Sequence, residues 1–258
     1  MRPRLRPSLR FLKLHYNLIV VLAVLPLSVQ FLSLAKAQFF GPNGSESSIE
    51  NARMVFAFGG GVIKVLQHSL DSGFLVTTFE TTYMWVFALF TYFLPILLVV
   101  KRDSRTLTMF TIAVAINYAV LMSSFIVFPV KVSSGLPGAD VTPVLYNSHT
   151  WGAMATSVDS LTNCFPSGHI SLSFTAFFVF ALAGSEYRRL SYVLGATGVT
   201  LGLAVLYLGI HYPADVLGGL ALAAIATACS TNERSRAAIV RTVKSFMRLG
   251  LRSPANAE

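Results

Sequence analysis

In this chain of 258 residues, 54% are apolar and only 12% are charged, well below the ~25% charged residues typical of a soluble domain, and the mean hydropathy is +0.64. That balance excludes a water-soluble enzyme and indicates an integral membrane protein. The net charge of +9 does not point to nucleic acid, because the basic residues flank apolar runs and so face the membrane surface. Two cysteines give no disulfide framework.

In chain order, Met1–Lys13 is a basic head carrying Arg2, Arg4, Arg6, Arg10 and Lys13. Residues 14–35 are mostly apolar and long enough to span a bilayer, for which about 20 residues suffice. Ala35-Lys36-Ala37 resembles a signal-peptide cleavage site, but the apolar core is long for a signal, so a retained anchor is expected. Residues 54–66 are apolar yet short, and Gly59-Gly60-Gly61 interrupts them, which predicts a re-entrant or interfacial segment after the first span. Further spans are expected at 82–100, 107–128, 168–184, 190–208 and 213–229. A long polar loop, 129–165, contains Lys131, Asp140, His149 and Asp159. The tail, 231–258, has apolar Ile239, Val240, Val243, Phe246 and Met247 at helical spacing among basic residues, the pattern of an amphipathic helix on an anionic leaflet.

The expected fold is therefore an all-α integral membrane protein, a six-transmembrane-helix bundle in a membrane domain over residues 14–230. With six spans, sixteen of the twenty Lys and Arg residues collect on one face, leaving Lys36, Arg53, Lys64 and Lys131 opposite. The positive-inside rule makes the rich face cytoplasmic. His169 and His211 then both fall on the extracytoplasmic face, because the two spans between them form one hairpin.

Two stretches carry chemistry. Asn163–Ser173 places Pro166-Ser167-Gly168-His169 where an apolar helix begins. Serine suits the cap, glycine admits close approach, and the unpaired N–H groups of a helix start attract anions, phosphate above all. Ile210–Gly219 opens another apolar helix with His211 and Asp215 four residues apart, on one helical face. A carboxylate bonded to one imidazole nitrogen fixes the tautomer and leaves the other nitrogen free as base or nucleophile.

These two motifs resemble the type 2 phosphatidic acid phosphatase superfamily, which includes lipid phosphatases, vanadium haloperoxidases, and inositol-phosphorylceramide and sphingomyelin synthases. Pro166-Ser167-Gly168-His169 matches its second motif and His211-x-x-x-Asp215 the end of its third. Two departures stand out. The phosphatases have Ser-Arg six and seven residues before the third-motif histidine, where this chain has Ala204 and Val205. The first motif, Lys-x6-Arg-Pro, is absent, since counting from Lys131 reaches Gly138 and Ala139. The ceramide-type synthases, whose third motif also lacks that arginine, resemble the chain better there.

The resemblance implies phosphoryl transfer through a covalent enzyme. His211, oriented by Asp215, attacks phosphorus, and His169 protonates the leaving alkoxide. Ser167 and Gly168 bind the phosphate oxygens, Lys131 is the best-placed cation, and water or an alcohol resolves the phosphohistidine. No cofactor and no metal are expected; Asp140 and Asp159 lack ligand spacing and read as solvated loop carboxylates. With few fixed cations, a singly charged phosphodiester lipid is a better donor than a monoester. That favours transfer to an alcohol, as in inositol-phosphorylceramide synthases. The alternatives are a phosphatidic acid or polyprenyl (di)phosphate phosphatase, and a non-catalytic membrane scaffold. Asn163 and Cys164 read as loop-shaping residues, Tyr207 as a lipid-interface tyrosine and Gly218-Gly219 as a close helix contact.

Overall fold

A computed structural model describes residues 7–40, 46–70, 72–158, 160–239 and 241. The expectations for Asp159, for the first six residues and for Val240, Val243, Phe246 and Met247 lie outside these. Ten α-helices occur among the described residues: α1 Pro7–Phe40, α2 Glu46–Phe56, α3 Gly61–Ser69, α4 Gly73–Ala88, α5 Leu94–Lys101, α6 Ser104–Val127, α7 Gly152–Val158, α8 Gly168–Ala183, α9 Arg188–Tyr207 and α10 Pro213–Thr231. The one bridge between extended segments, among these residues, joins Val130 to Asn163. Among the described residues, four stretches are long and apolar enough to cross a bilayer: Arg10–Lys36, Ser104–Val127, Ser185–Tyr207 and Pro213–Thr231. α8 is equally apolar but shorter.

The helix expected over 82–100 begins at Gly73 instead, nine residues earlier, and runs to Lys101 through a π-helical turn, Leu89–Phe93. Polar residues hid its start. Thr77 and Thr78 return their hydroxyls to the carbonyls of Gly73 and Phe74, and Glu80 is buried rather than solvated. The π turn has a cause in Pro95, whose missing N–H leaves the carbonyl one turn back without its partner. Between the first two long helices the chain forms α2 and α3, joined at Gly59 in a left-handed conformation (φ +91°).

α8 packs most extensively against α9 and α10, and α6 closes the group from the other side of α8 and α10. α1 lies along α6, and α4 along α9. The α8–α10 contact depends on glycine. A Cβ on Gly219 would lie 2.7 Å from the Ser167 carbonyl oxygen, closer than a side chain tolerates, and 3.2 Å from the Ser171 nitrogen. Small residues permit backbones to approach in this way within membranes, where close packing drives association.

The 129–165 segment, read as a polar loop, is an ordered cap. Val130, Val132, Leu136 and Leu145 are buried. Its backbone bonds to α2 and to the α9–α10 turn: Lys131 N–H to the Ser48 carbonyl (3.0 Å), Ser133 N–H to Ile210 (3.2 Å) and Leu145 N–H to Leu208 (3.3 Å). The cap therefore grips the turn between α9 and α10. At that turn Gly209 has φ +75°, and a Cβ there would meet the Thr142 carbonyl at 2.5 Å. Only glycine fits.

Candidate active site

Both motifs sit at helix N-termini that touch. Ser167 caps α8: its hydroxyl accepts from the Ile170 N–H (3.4 Å), and its carbonyl accepts from Ser171 (3.0 Å). The Ser167 N–H donates to the Asp215 carbonyl at 3.0 Å, tying the start of α8 to the first turn of α10. Pro166, preceded by a cis peptide bond, and Phe165 pack over Gly218.

Asp215 occupies the third position of α10 and is fully buried. One oxygen, Oδ2, accepts from the Tyr212 backbone N–H (2.9 Å), completing a capping box, and lies 3.1 Å from His211 Nδ1. The same carboxylate therefore ends the helix and orients the imidazole. Its other oxygen, Oδ1, is buried with no partner among the described residues. Holding Nδ1 against Oδ2 leaves His211 Nε2 as the nitrogen available for chemistry.

His169 faces this pair, with ring centroids 6.4 Å apart and planes at 63°. Its other side lies against Tyr83 of α4, ring centroid to ring centroid 4.3 Å. Tyr83 is buried, and sequence reasoning missed it because the expected span began only one residue earlier. A cavity of about 290 Å³ opens in front of both histidines. Gly168 and Asn163 contribute to its polar end. Pro26 and Val29 of α1, Tyr92 of the π turn, and Leu121 and Phe125 of α6 form apolar wall. A smaller space of about 20 Å³ shares Pro26, Tyr118 and Leu172 with it and continues between Leu22, Phe90 and Phe110.

Of the six residues expected to act, His211, Asp215, His169, Ser167 and Gly168 come together around the two touching helix starts. Lys131 is buried beneath the cap and forms no part of the cavity wall. Its carbonyl accepts from the Tyr212 hydroxyl (3.1 Å), and burial pushes its ammonium below the usual lysine range. Lys131 thus braces the turn that carries His211. Tyr207 is buried rather than interfacial, since its hydroxyl donates to the Leu70 carbonyl (3.1 Å) and its ring meets Phe79 edge-on at 5.4 Å. Asp140 is paired with Lys64, whose ammonium holds the carboxyl below the usual carboxylate range.

Cys164 adds a third group. Its thiol, His211 and Asp215 offer donor atoms all within 4.8 Å of one another, a set that has the composition of a partial metal site. Each atom already has a neighbour, however: the thiol donates to the Ile210 carbonyl (3.3 Å), and the imidazole and carboxylate engage each other. A structural zinc site needs four ligands, and no fourth His, Cys, Asp or Glu joins this group among the described residues.

The family model of the PAP2 superfamily matches residues 112–236, from the middle of α6 through both histidine motifs. No curated protein matches the sequence significantly. Among solved structures, the crystal structure of Aquifex aeolicus LpxE shares the fold, with a TM-score of 0.53 at 19% identity over 66% of this chain and 92% of that chain. Across the segment that builds the site, the chain is similar to the PAP2 superfamily, and its helices are arranged as in LpxE.

Proposed function

We propose that the protein is an integral membrane enzyme that cleaves a phosphate ester of a lipid through a phosphohistidine. The observation that carries this reading is the buried His211–Asp215 pair, 6.4 Å from His169 between ring centroids, at the polar end of an apolar cavity. The match to the PAP2 superfamily supports it.

In this mechanism His211 Nε2 attacks phosphorus in line, forming the N–P bond while the ester P–O bond breaks. His169 gives a proton to the departing oxygen. In the first turn of α8 the Ser167 hydroxyl takes the Ile170 N–H, and in this mechanism the Gly168 and His169 N–H groups hold the phosphate oxygens. Water or an alcohol then loses its proton to His169 and attacks the phosphohistidine, releasing His211. Splitting the reaction into two easier steps is the gain from the covalent intermediate, and acid–base help from a placed histidine contributes roughly 10²–10⁴-fold.

The substrate is a lipid because the cavity walls away from the histidines are apolar and continue into the core of the bundle. The motif positions for Ser-Arg hold Ala204 and Val205, both fully buried, so fixed positive charge is scarce. Scarcity favours a donor with one negative charge, a phosphodiester lipid, and transfer to an alcohol. Hydrolysis of a lipid phosphate suits the same histidines and is the second reading. The topology that goes with this proposal has six spans: α1, the α4–α5 stretch, α6, α8, α9 and α10. Both termini are then cytoplasmic and the site faces the extracytoplasmic side.

The deciding experiment is the purified protein with labelled lipid phosphates, scoring free phosphate against phosphorylated alcohol. Phosphorylated alcohol supports the transferase, free phosphate alone supports the hydrolase, and neither product from any lipid phosphate favours the scaffold.

A further inference from the structure

We propose that Lys36, at the end of α1, supplies the fixed positive charge for the substrate phosphate, acting at the cavity wall through Asn163; this rests on the phosphate-transfer reading above and names the cation that its motifs leave out. Lys36 Nζ donates to the Asn163 side-chain oxygen at 2.7 Å and to the Phe125 carbonyl at 2.9 Å. Both acceptors belong to residues that form the wall of the cavity in front of His169 and His211. The Asn163 amide is held from its other end, where Nδ2 donates to Ser33 Oγ at 3.0 Å, so its oxygen stays turned toward the ammonium.

The partners of Lys36 are all neutral. No carboxylate lies within ion-pair distance of it among the described residues, and two of its three N–H donors are engaged by carbonyl-type oxygens. A cation drawn into a protein without a counter-charge is unfavourable, and such groups are normally paired. A phosphate in the adjoining cavity is the missing anion. Of the other basic groups of that face, Lys64 is paired with Asp140, Arg53 is exposed on α2, and Lys131 forms no part of the cavity wall. Through Asn163 and Phe125, positive charge reaches the cavity wall from α1, where the motif positions on α9 provide none.

Lys36 acts as a positioning residue, and its role has a consequence for the N-terminal helix. Cleavage at Ala35-Lys36-Ala37 would detach α1 and with it this charge, so the proposal requires α1 in the active protein. The test uses the full chain in detergent, with inorganic phosphate and orthovanadate as probes, measured by titration calorimetry. Lys36→Met is expected to weaken binding of both by roughly 10- to 100-fold, the worth of one opposite charge a few ångströms away in a partly buried site. Its melting temperature should be unchanged or higher, because an uncompensated charge has been removed. Lys36→Arg should recover part of the affinity. If Lys36→Met does not yield folded protein, Lys36→Gln keeps a donor for Asn163 without the charge and should show the same loss. Wild-type affinity in Lys36→Met or Lys36→Gln overturns the assignment of Lys36 alone. A wild-type protein that binds neither probe overturns the phosphate site itself.

Discussion

Replacing Asp215 with asparagine separates the two tasks of one carboxylate. Asp215 Oδ2 accepts both the Tyr212 backbone N–H (2.9 Å) and, 3.1 Å away, the His211 Nδ1 proton. Asparagine caps helices about as well as aspartate, so Asp215→Asn keeps the Tyr212 contact and the start of α10. It cannot keep the other function. With its oxygen at the Oδ2 position the amide accepts from both groups but brings no negative charge to support the imidazole as Nε2 attacks, and its NH₂ falls on the buried Oδ1 site, which has no partner among the described residues; turned the other way, the NH₂ faces both donors and forces the proton onto Nε2. The analogous substitution in a serine-protease triad lowers turnover ~10⁴-fold. Here a loss of at least ~10²-fold is expected, equivalent to about 2.7 kcal/mol of transition-state stabilisation. The assay is turnover on an accepted lipid phosphate, together with the melting temperature in detergent and imidazole tautomers from ¹⁵N chemical shifts. Turnover within a few-fold of wild type, from protein of normal melting temperature, would refute the orienting role. Asp215→Ala is the control: it loses the cap as well, for a further ~0.5–2 kcal/mol of stability.

Other outcomes follow from the same geometry. His211→Ala should abolish turnover and phosphohistidine labelling, and residual labelling would mean another residue accepts the phosphoryl group. His169→Ala should slow esters of poor leaving groups far more than activated aryl phosphates, since only the former need the proton; equal slowing of both would remove His169 as the acid. EDTA should leave activity unchanged, and a loss restored by a divalent ion would turn the Cys164–His211–Asp215 cluster into a metal centre. Thr150→Cys and Glu233→Cys, placed at exposed positions in a chain lacking Cys229, should label from opposite sides of the membrane. Labelling from one side would exclude the six-span topology.

The motifs were legible in the sequence because they consist of residues whose local chemistry is distinctive. A proline, a capping serine and a glycine before a histidine mark a helix start, and a histidine four residues before an aspartate marks a shared face. The apolar runs made α1, α6, α9 and α10 equally plain. What the sequence concealed was polar or basic residues whose partners are remote in the chain. The start of α4 fell outside the expected span because Thr77, Thr78 and Glu80 are polar, yet two are satisfied one turn back and the third is buried. The 129–165 segment looked solvated because its backbone partners, Ser48, Leu208 and Ile210, come from distant elements. Lys36 was the hardest to place. Its position inside a cleavage-like tripeptide drew attention to processing, while its bond to Asn163 spans 127 residues.

The relative placement of the two histidines depends on one helix contact rather than on loops. His169 is set by the cap of α8 and His211 by the box of α10, so each imidazole inherits the position of its helix end. The two ends are locked by the Ser167 N–H to Asp215 carbonyl bond at 3.0 Å and by Gly219, which lets α10 come against the Ser167 carbonyl. A methyl group on Gly219 would need both helices to part, with the strain of about 1–3 kcal/mol seen on overpacking. It would also widen the 6.4 Å ring separation on which shared handling of one phosphorus depends. Precision of this kind is easier to hold on rigid helices than on flexible segments. It also gives Gly218-Gly219 a role that neither glycine would have from its own chemistry: Phe165 and Pro166 seat on the first, the carbonyl of the capping serine on the second. Gly219→Ala should therefore lower turnover more than it lowers the melting temperature, because sub-ångström displacement at the site matters before the bundle itself fails.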